Sequence, residues 1–159
     1  MTDKYMDEIK RLADEIELEL QMAQEEIQQL TAPCGIPCFA CYMYLAFKNE
    51  ALKPLISKVM GVPEEKAACA GCRATEGKCG HLPMACRVYP CADEKKIHNC
   101  SECADFPCNF LHPYADKAFT FHNTKIFQLC LIKKMGLENW AEKKARSVRD
   151  KYSFGQWTL

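Results

Sequence analysis

Eleven of the twelve cysteines in this 159-residue chain fall between Cys34 and Cys108, and most stand in close groups. They run Cys34-x3-Cys38-x2-Cys41, then Cys69-x2-Cys72-x6-Cys79-x6-Cys86-x4-Cys91, then Cys100-x2-Cys103-x4-Cys108. Two intervening residues let a tight turn aim two sulfurs at one point, the geometry that a tetrahedral ion or an iron–sulfur cluster requires. Three such pairs, each beside further cysteines, predict a segment held in shape by bound metal.

The chain is long enough for one domain with a core of its own, plus an appended helix. Its 21 basic and 21 acidic residues cancel, which removes global attraction to nucleic acid or anionic lipid as a leading idea. The balance hides an asymmetry. Residues 1–30 carry nine acids against three bases, and the remainder carries 18 bases against 12 acids. An acidic arm of this kind is expected to be a solvated helix face, with packing on the basic body or a basic partner as the alternatives. The charged start lacks the apolar centre of a signal peptide, and stretches such as Ala40 to Phe47 are too short to span a bilayer. The expected location is therefore cytoplasmic, with no membrane partner. Thiols stay reduced there, so disulfides are not expected despite the even number of cysteines.

Three stretches are expected: a heptad helix over residues 1–31, a cysteine-rich metal-binding domain with C-terminal helices over 32–152, and a tail over 153–159. Met6, Ile9, Ala13, Ile16, Leu20, Ala23, Ile27 and Leu30 recur at alternating spacings of three and four, which is a sustained a/d seam. Thr2 or Asp3 is placed to cap this helix, and nothing breaks it before Ala32-Pro33. The seam either folds back onto its own domain or self-associates or docks a protein partner as a coiled coil. Further helices are predicted from Tyr42 to Ala51, from Leu55 to Met60 with Gly61 as its stop, and around Pro63-Glu64-Glu65. Beyond the cysteines, one helix runs from Asn123 or Thr124 to Met135 with Gly136 as its C′ residue. A last one spans Leu137 to Tyr152, with Trp140, Ala141, Ala145 and Val148 inward and Lys143, Lys144, Arg146 and Arg149 outward. The tail is docked by Phe154 and Trp157 or frayed. Between Cys69 and Cys108 the apolar period fails and glycines and prolines recur every few residues. The fold class is mainly α, a metal-stapled irregular loop region packed with helices.

Zinc is the first metal to consider. Cys69-Ala70-Gly71-Cys72 and Cys100-Ser101-Glu102-Cys103 are half-sites, and Cys79, Cys86, Cys91 and Cys108 can complete them. A third site on Cys34, Cys38 and Cys41 would need one more ligand, for which His81 and His98 are nearest. Two or three zinc ions follow, with the closure of each half-site left open. The competing reading is a [4Fe–4S] cluster. Cys34-x3-Cys38-x2-Cys41 has the spacing of the radical-SAM cluster motif, but the chain lacks the strands and length such enzymes need. The ferredoxin run is absent too. Cys79-Gly80-His81 and His98-Asn99-Cys100 place thiol and imidazole close in sequence, which alone makes no catalytic dyad. Cys130 stands apart in an apolar helix and is expected to be buried as a small hydrophobe.

Together these residues resemble a family of bacterial and archaeal cysteine-rich proteins, domain of unknown function 3795. The likeness rests on Ala32-Pro33-Cys34-Gly35-Ile36-Pro37-Cys38-Phe39-Ala40-Cys41, on Cys69-Ala70-Gly71-Cys72-Arg73, and on Cys100-Ser101-Glu102-Cys103-Ala104-Asp105-Phe106-Pro107-Cys108. Met135-Gly136-Leu137-Glu138-Asn139-Trp140 is similar to the family's segment after its metal region, so the likeness is expected to run from about residue 32 to 150. The heptad arm lies outside it, and the C-terminal cysteine pair of many members is replaced by the tail ending in Trp157. The resemblance implies zinc binding and no established activity.

The expected function is that of a metal-binding interaction or accessory module. No acid, base and nucleophile stand together outside the cysteines, and a site closed by four protein ligands leaves no position for substrate, which argues against an enzyme. The alternative is an iron–sulfur protein serving electron transfer or a larger enzyme. Nucleic acid is not an expected partner, because the basic residues of 143–151 form one helix face without interleaved aromatics.

Overall fold

The heptad seam of the N-terminal arm finds its partner inside the chain. In the computed structural model, which describes residues 2–20, 22–80, 82, 84–118 and 120–155 (backbone only for residues 2, 3 and 117), the chain is mainly helical. Among the described residues no strand forms; Thr31 and Pro37 make one isolated antiparallel bridge. The expected caps of Thr2 and Asp3, and His81 and Trp157, lie outside the described side chains.

Helix α1 (Thr2–Glu19) buries Ile9, Ala13 and Ile16 against Met43 and Leu45 of α3 (Tyr42–Lys48), Leu52, and Ile56 of α4 (Lys53–Met60). This is the fold-back arrangement of the seam. Gly61, with φ of 64°, ends α4 as its position suggests.

The arm is not one helix, however. The expected unbroken run to Leu30 stops at Glu19, and α2 (Gln24–Gln29) begins anew after an extended Ala23 whose N–H donates to Glu26 Oε2 at 3.1 Å. The break has a physical cause. Leu20 packs with the α1–α3–α4 cluster, whereas Met22, Ile27 and Leu30 pack against a second cluster built on Ile36, Phe39, Leu111, Leu129 and Trp140. One straight helix cannot serve two cores.

The C-terminal helices are α6 (Lys125–Met135), α7 (Leu137–Trp140), a π-turn over Ala141–Ala145 and α8 (Arg146–Phe154). Trp140, Ala141 and Ala145 face inward as expected, with Trp140 edge-on to Phe39 and its Nε1–H donating to Gln128 Oε1 at 2.7 Å. Val148 is only half-buried.

Two expectations fail in this region. Arg149, assigned to the outer face, is 1 % exposed. Its guanidinium donates to Glu17 Oε1 at 2.6 Å, Ala40 O at 2.8 Å and Asp150 Oδ1 at 2.8 Å, and stacks 4.6 Å from the Tyr42 ring centre. Asp7, Glu8, Asp14, Glu15, Glu19, Glu25 and Glu26 of the acidic arm stay exposed, as a solvated face would, while Glu17 packs on the basic body through this buried pair. Cys130, expected in the core, is exposed. The reason is the orientation of α6, which buries Lys125, Gln128, Leu129 and Ile132 and turns Ile126, Phe127 and Cys130 outward.

The aperiodic stretch also holds a helix that its sequence pattern hides, α5 (Val88–Glu94). Pro90 and Cys91 lie within it. Proline is tolerated there because the first turn has no intrahelical use for its N–H.

Candidate metal centre

The tight turn from Thr31 to Pro37 presents the first sulfur. Ala32 N–H donates to Ile36 O at 2.9 Å, and Gly35 N–H donates to Ala32 O at 2.8 Å. Gly35 has φ of 84°, and a Cβ there would stand 2.7 Å from Leu129 Cγ, so only glycine lets α6 close over this turn. Cys38 opens a 3-10 turn, and Cys41 precedes α3. Cys69 N–H donates to Met43 O at 2.9 Å, which ties the second cysteine group to α3. Gly71 takes φ of 99°, a conformation glycine permits, and sets Cys72 N–H against Cys38 Sγ at 3.4 Å. Cys100 N–H donates to Pro33 O at 2.8 Å, so the third group is anchored on the first.

These anchors sort the eleven cysteines into two cavities. Cys34, Cys38, Cys41, Cys69, Cys72, Cys79 and Cys86 line one, and Cys91, Cys100, Cys103 and Cys108 line the other. Each half-site expected from the spacing therefore keeps its pair together. One cavity brings together pairs distant in sequence, Cys69 and Cys72 with Cys34, Cys38 and Cys41, while the other is lined by a local stretch. All twelve cysteines are free thiols. Among the described residues no three Cys, His, Asp or Glu side chains already converge on one point as a coordinated ion demands; the sulfurs share walls, not a finished polyhedron.

Backbone donors are aimed at several of these sulfurs. Besides the Cys72–Cys38 contact, Gly71 N–H reaches Cys69 Sγ and Tyr89 N–H reaches Cys86 Sγ, each at 3.4 Å. Such donors favour thiolate over thiol. Burial acts the other way. It pushes Cys34 up to about 11 and Cys72 up to about 12, against the backbone N–H of Ile36 at Cys34 and the charge of Arg73 at Cys72. Burial raises Cys38 as well, and Cys100 in the second cavity up to about 12. Cys69 is held below the ordinary thiol range by a hydrogen bond from Cys79. Crowded, dry sulfurs that backbone dipoles prepare for negative charge are what a bound cation would turn into thiolates outright.

The donor chemistry fits a thiophilic metal. Among the described residues, no Asp or Glu lines the seven-cysteine cavity, and sulfur without hard oxygen selects zinc or iron–sulfur over magnesium or calcium. The free space there is about 40 Å³, against roughly 10–15 Å³ needed per water. That is room enough for small ions; the four-cysteine cavity is wider, at about 390 Å³.

Sequence spacing missed the other groups around these sulfurs. Lys125, Tyr114 and His122 line the seven-cysteine cavity, brought there by α6 and the turn before it. The Cys103 sulfur accepts from Lys95 Nζ at 3.3 Å, and the same ammonium pairs with Asp105 at 2.5 Å. Of the two histidines proposed as ligands, His98 lines neither cavity. Its ring lies 3.3 Å from the Arg73 guanidinium, which also donates to His98 O at 2.6 Å and Thr31 O at 3.2 Å. Arg73 thus fastens the segment after Cys72 to the turn before Cys34 and to the knuckle at Cys100. The nearby knuckle is braced by Asn99, whose side chain accepts from Ser101 N–H at 3.0 Å while Glu102 caps Asn99 N–H at 3.3 Å.

No curated protein and no solved structure matches the chain. A family model does match, over residues 30–113. The match takes in all three cysteine groups and leaves the heptad arm outside, as expected, but it ends before 135–140, so the likeness is shorter than the motifs suggested. Because the match covers more than half of the sequence, the chain belongs to the family described as protein of unknown function (DUF3795).

Proposed function

We propose that this chain is a thiolate metal-binding protein serving as an interaction or accessory module. One observation carries the reading: eleven cysteines, spread over 75 positions, line two shared cavities, seven on one and four on the other, with no disulfide among them. Zinc is the metal the reading favours. The cavity of Cys91, Cys100, Cys103 and Cys108 has the four thiolates of a closed structural site. Cys34, Cys38, Cys41, Cys69, Cys72, Cys79 and Cys86 suffice for two tetrahedral ions if one sulfur bridges them. The total is then about three zinc ions, within the two or three anticipated from spacing.

The small free volume of the seven-cysteine cavity suits bound ions and supports a binding role there. A partner would meet the outside of the molecule. The arm's seam is used within the chain, so docking through the N-terminal helix would employ its outer face, where Leu18 is exposed. The charge balance continues to argue against nucleic acid.

The second reading is an iron–sulfur cluster for electron transfer or for a larger enzyme. It is favoured by the placing of Cys34, Cys38 and Cys41 in one cavity under backbone N–H donors, which tune cluster potentials. Elemental analysis of anaerobically purified protein separates the two. Colourless protein with about three zinc per chain supports the first. Brown protein with broad visible absorption, iron and acid-labile sulfide supports the second. Protein that holds no metal and refuses both on reconstitution overturns both.

A further inference from the structure

Among the described residues the fold buries two cations, Arg149 and Lys125, and treats them differently. Arg149 is surrounded by Glu17 and Asp150. Lys125 is 2 % exposed, and among the described residues no carboxylate pairs with it. Its Nζ donates to His112 O at 3.2 Å and sits 4.3 Å over the Tyr114 ring. Both are partial compensation. A carbonyl and a ring face stabilise an ammonium but leave its unit charge unbalanced in a dry interior, where unpaired charge is costly.

The unbalanced charge faces sulfur. Lys125 lines the cavity of the seven cysteines, and Cys34 and Cys86 are the groups whose negative charge would act on it most strongly. A zinc ion with four thiolates carries two excess negative charges, and burying those is as unfavourable as burying the ammonium. Each is the remedy for the other. A methionine of similar length would fill the same space beside Leu129 and Ile132 without any charge to bury, so packing does not explain a lysine here.

We propose that Lys125 is the resident counter-charge of an anionic thiolate–metal centre at the Cys34–Cys72–Cys86 end of the cavity. The inference rests on the metal-binding reading above and adds to it which centre is charge-balanced by protein and by what residue. Lys125 acts as a positioning residue: it ligates nothing and biases the site toward full thiolate ligation.

Purified full-length protein, Lys125→Met and Lys125→Arg are compared by metal content, chelator competition and alkylation of cysteines read by mass spectrometry. Groups that support metal ligands without binding the ion are typically worth about 10–100-fold in affinity. Lys125→Met is therefore expected to release one class of metal to chelator roughly 10–100-fold more readily. Cys34, Cys72 and Cys86 should become alkylated while Cys91, Cys100, Cys103 and Cys108 stay protected. Lys125→Arg, which keeps the charge, should retain metal and protection. Circular dichroism guards the comparison. A methionine variant that fails to fold beside an arginine variant that folds and binds supports the assignment, and equal failure of both overturns it as a packing effect. Unchanged chelator competition in Lys125→Met overturns the counter-charge alone. Wild-type protein that never holds metal overturns the metal-binding reading itself, so the two failures are distinguishable.

Discussion

The α1–α3–α4 layer and the segment 73–87 sit in one molecule but are held by different forces. The layer buries Ile9, Ala13, Ile16, Met43, Leu45, Ala46, Leu52 and Ile56 in one cluster. In the segment, Gly77 alone is fully buried among the described residues, and Met84 is 47 % exposed. Its ties are backbone turns such as Gly77 N–H to Cys72 O at 2.9 Å, the Arg73 clamp, and the inward sulfurs of Cys79 and Cys86. Apolar burial of some 25 cal/mol per Å² holds the first without help; the second lacks the area for that to suffice. Between them lies a mixed zone that spacing alone misjudges. Cys34, Cys38 and Cys72 are embedded with Ile36, Phe39, Leu111 and Leu129 in the second core. The cysteine region therefore has apolar packing of its own, and the contrast is sharpest at its outer loop.

Several changes would break or sharpen this contrast. The largest effect belongs to the ligands, because metal binding at a structural site is folding energy, of order 10 kcal/mol for a small zinc domain. Cys72→Ser, or chelation of the wild type, is expected to strip hydrogen-exchange protection from residues 73–87 while the α1–α3–α4 layer keeps its protection. Cys103→Ser should do the same to the stretch around Cys100–Cys108. Full metal content and an unaltered melting curve in both serine variants would dissolve the distinction between the two regions.

Next comes the pair that joins the arm to the C-terminal helices. Arg149 and Glu17 are 1 % and 7 % exposed, and removing one partner of such a buried pair costs about 3–5 kcal/mol. Arg149→Met should lower the denaturation midpoint accordingly without loss of metal; a change under about 1 kcal/mol would show the charge to be solvated in solution. Leu45→Ala tests the layer itself. Deleting this fully buried side chain should cost about 2–5 kcal/mol in chemical denaturation, again with metal retained. Loss of metal in that variant would show the two regions to be one cooperative unit. The smallest effect is expected at Cys130. Exposed and apart from both cavities, it should tolerate serine within about 0.5 kcal/mol and with unchanged metal content, and a drop in content would make it a twelfth ligand.

Some of this was legible in the residues and some was not. The seam at Ile9, Ala13 and Ile16 could be read because helical periodicity is local. The inward face of Trp140, Ala141 and Ala145 could be read for the same reason. The break after Glu19 could not, since the heptad pattern continues through Ile27 and Leu30 and only the presence of a second core diverts it. Arg149 was misplaced because charge on a helix normally marks its wet side; what buries it is a carboxylate on α1, far away in sequence. Cys130 erred in the opposite sense. Its apolar neighbours suggested a core helix, yet α6 turns Phe127 and Ile126 out because Gln128 is needed under Trp140.

The order of residues alone made plain that this chain is helical at both ends and cysteine-rich in the middle, and which sulfurs stand as close neighbours. Those properties depend on spacings of two to seven positions, which a linear chain displays openly. Long-range folding alone set seven of the eleven sulfurs around one cavity and four around another, and brought the Lys125 ammonium of α6 beside the seven. Such groupings are made by contacts between segments tens of residues apart, and no local rule of chain geometry encodes which distant turns meet.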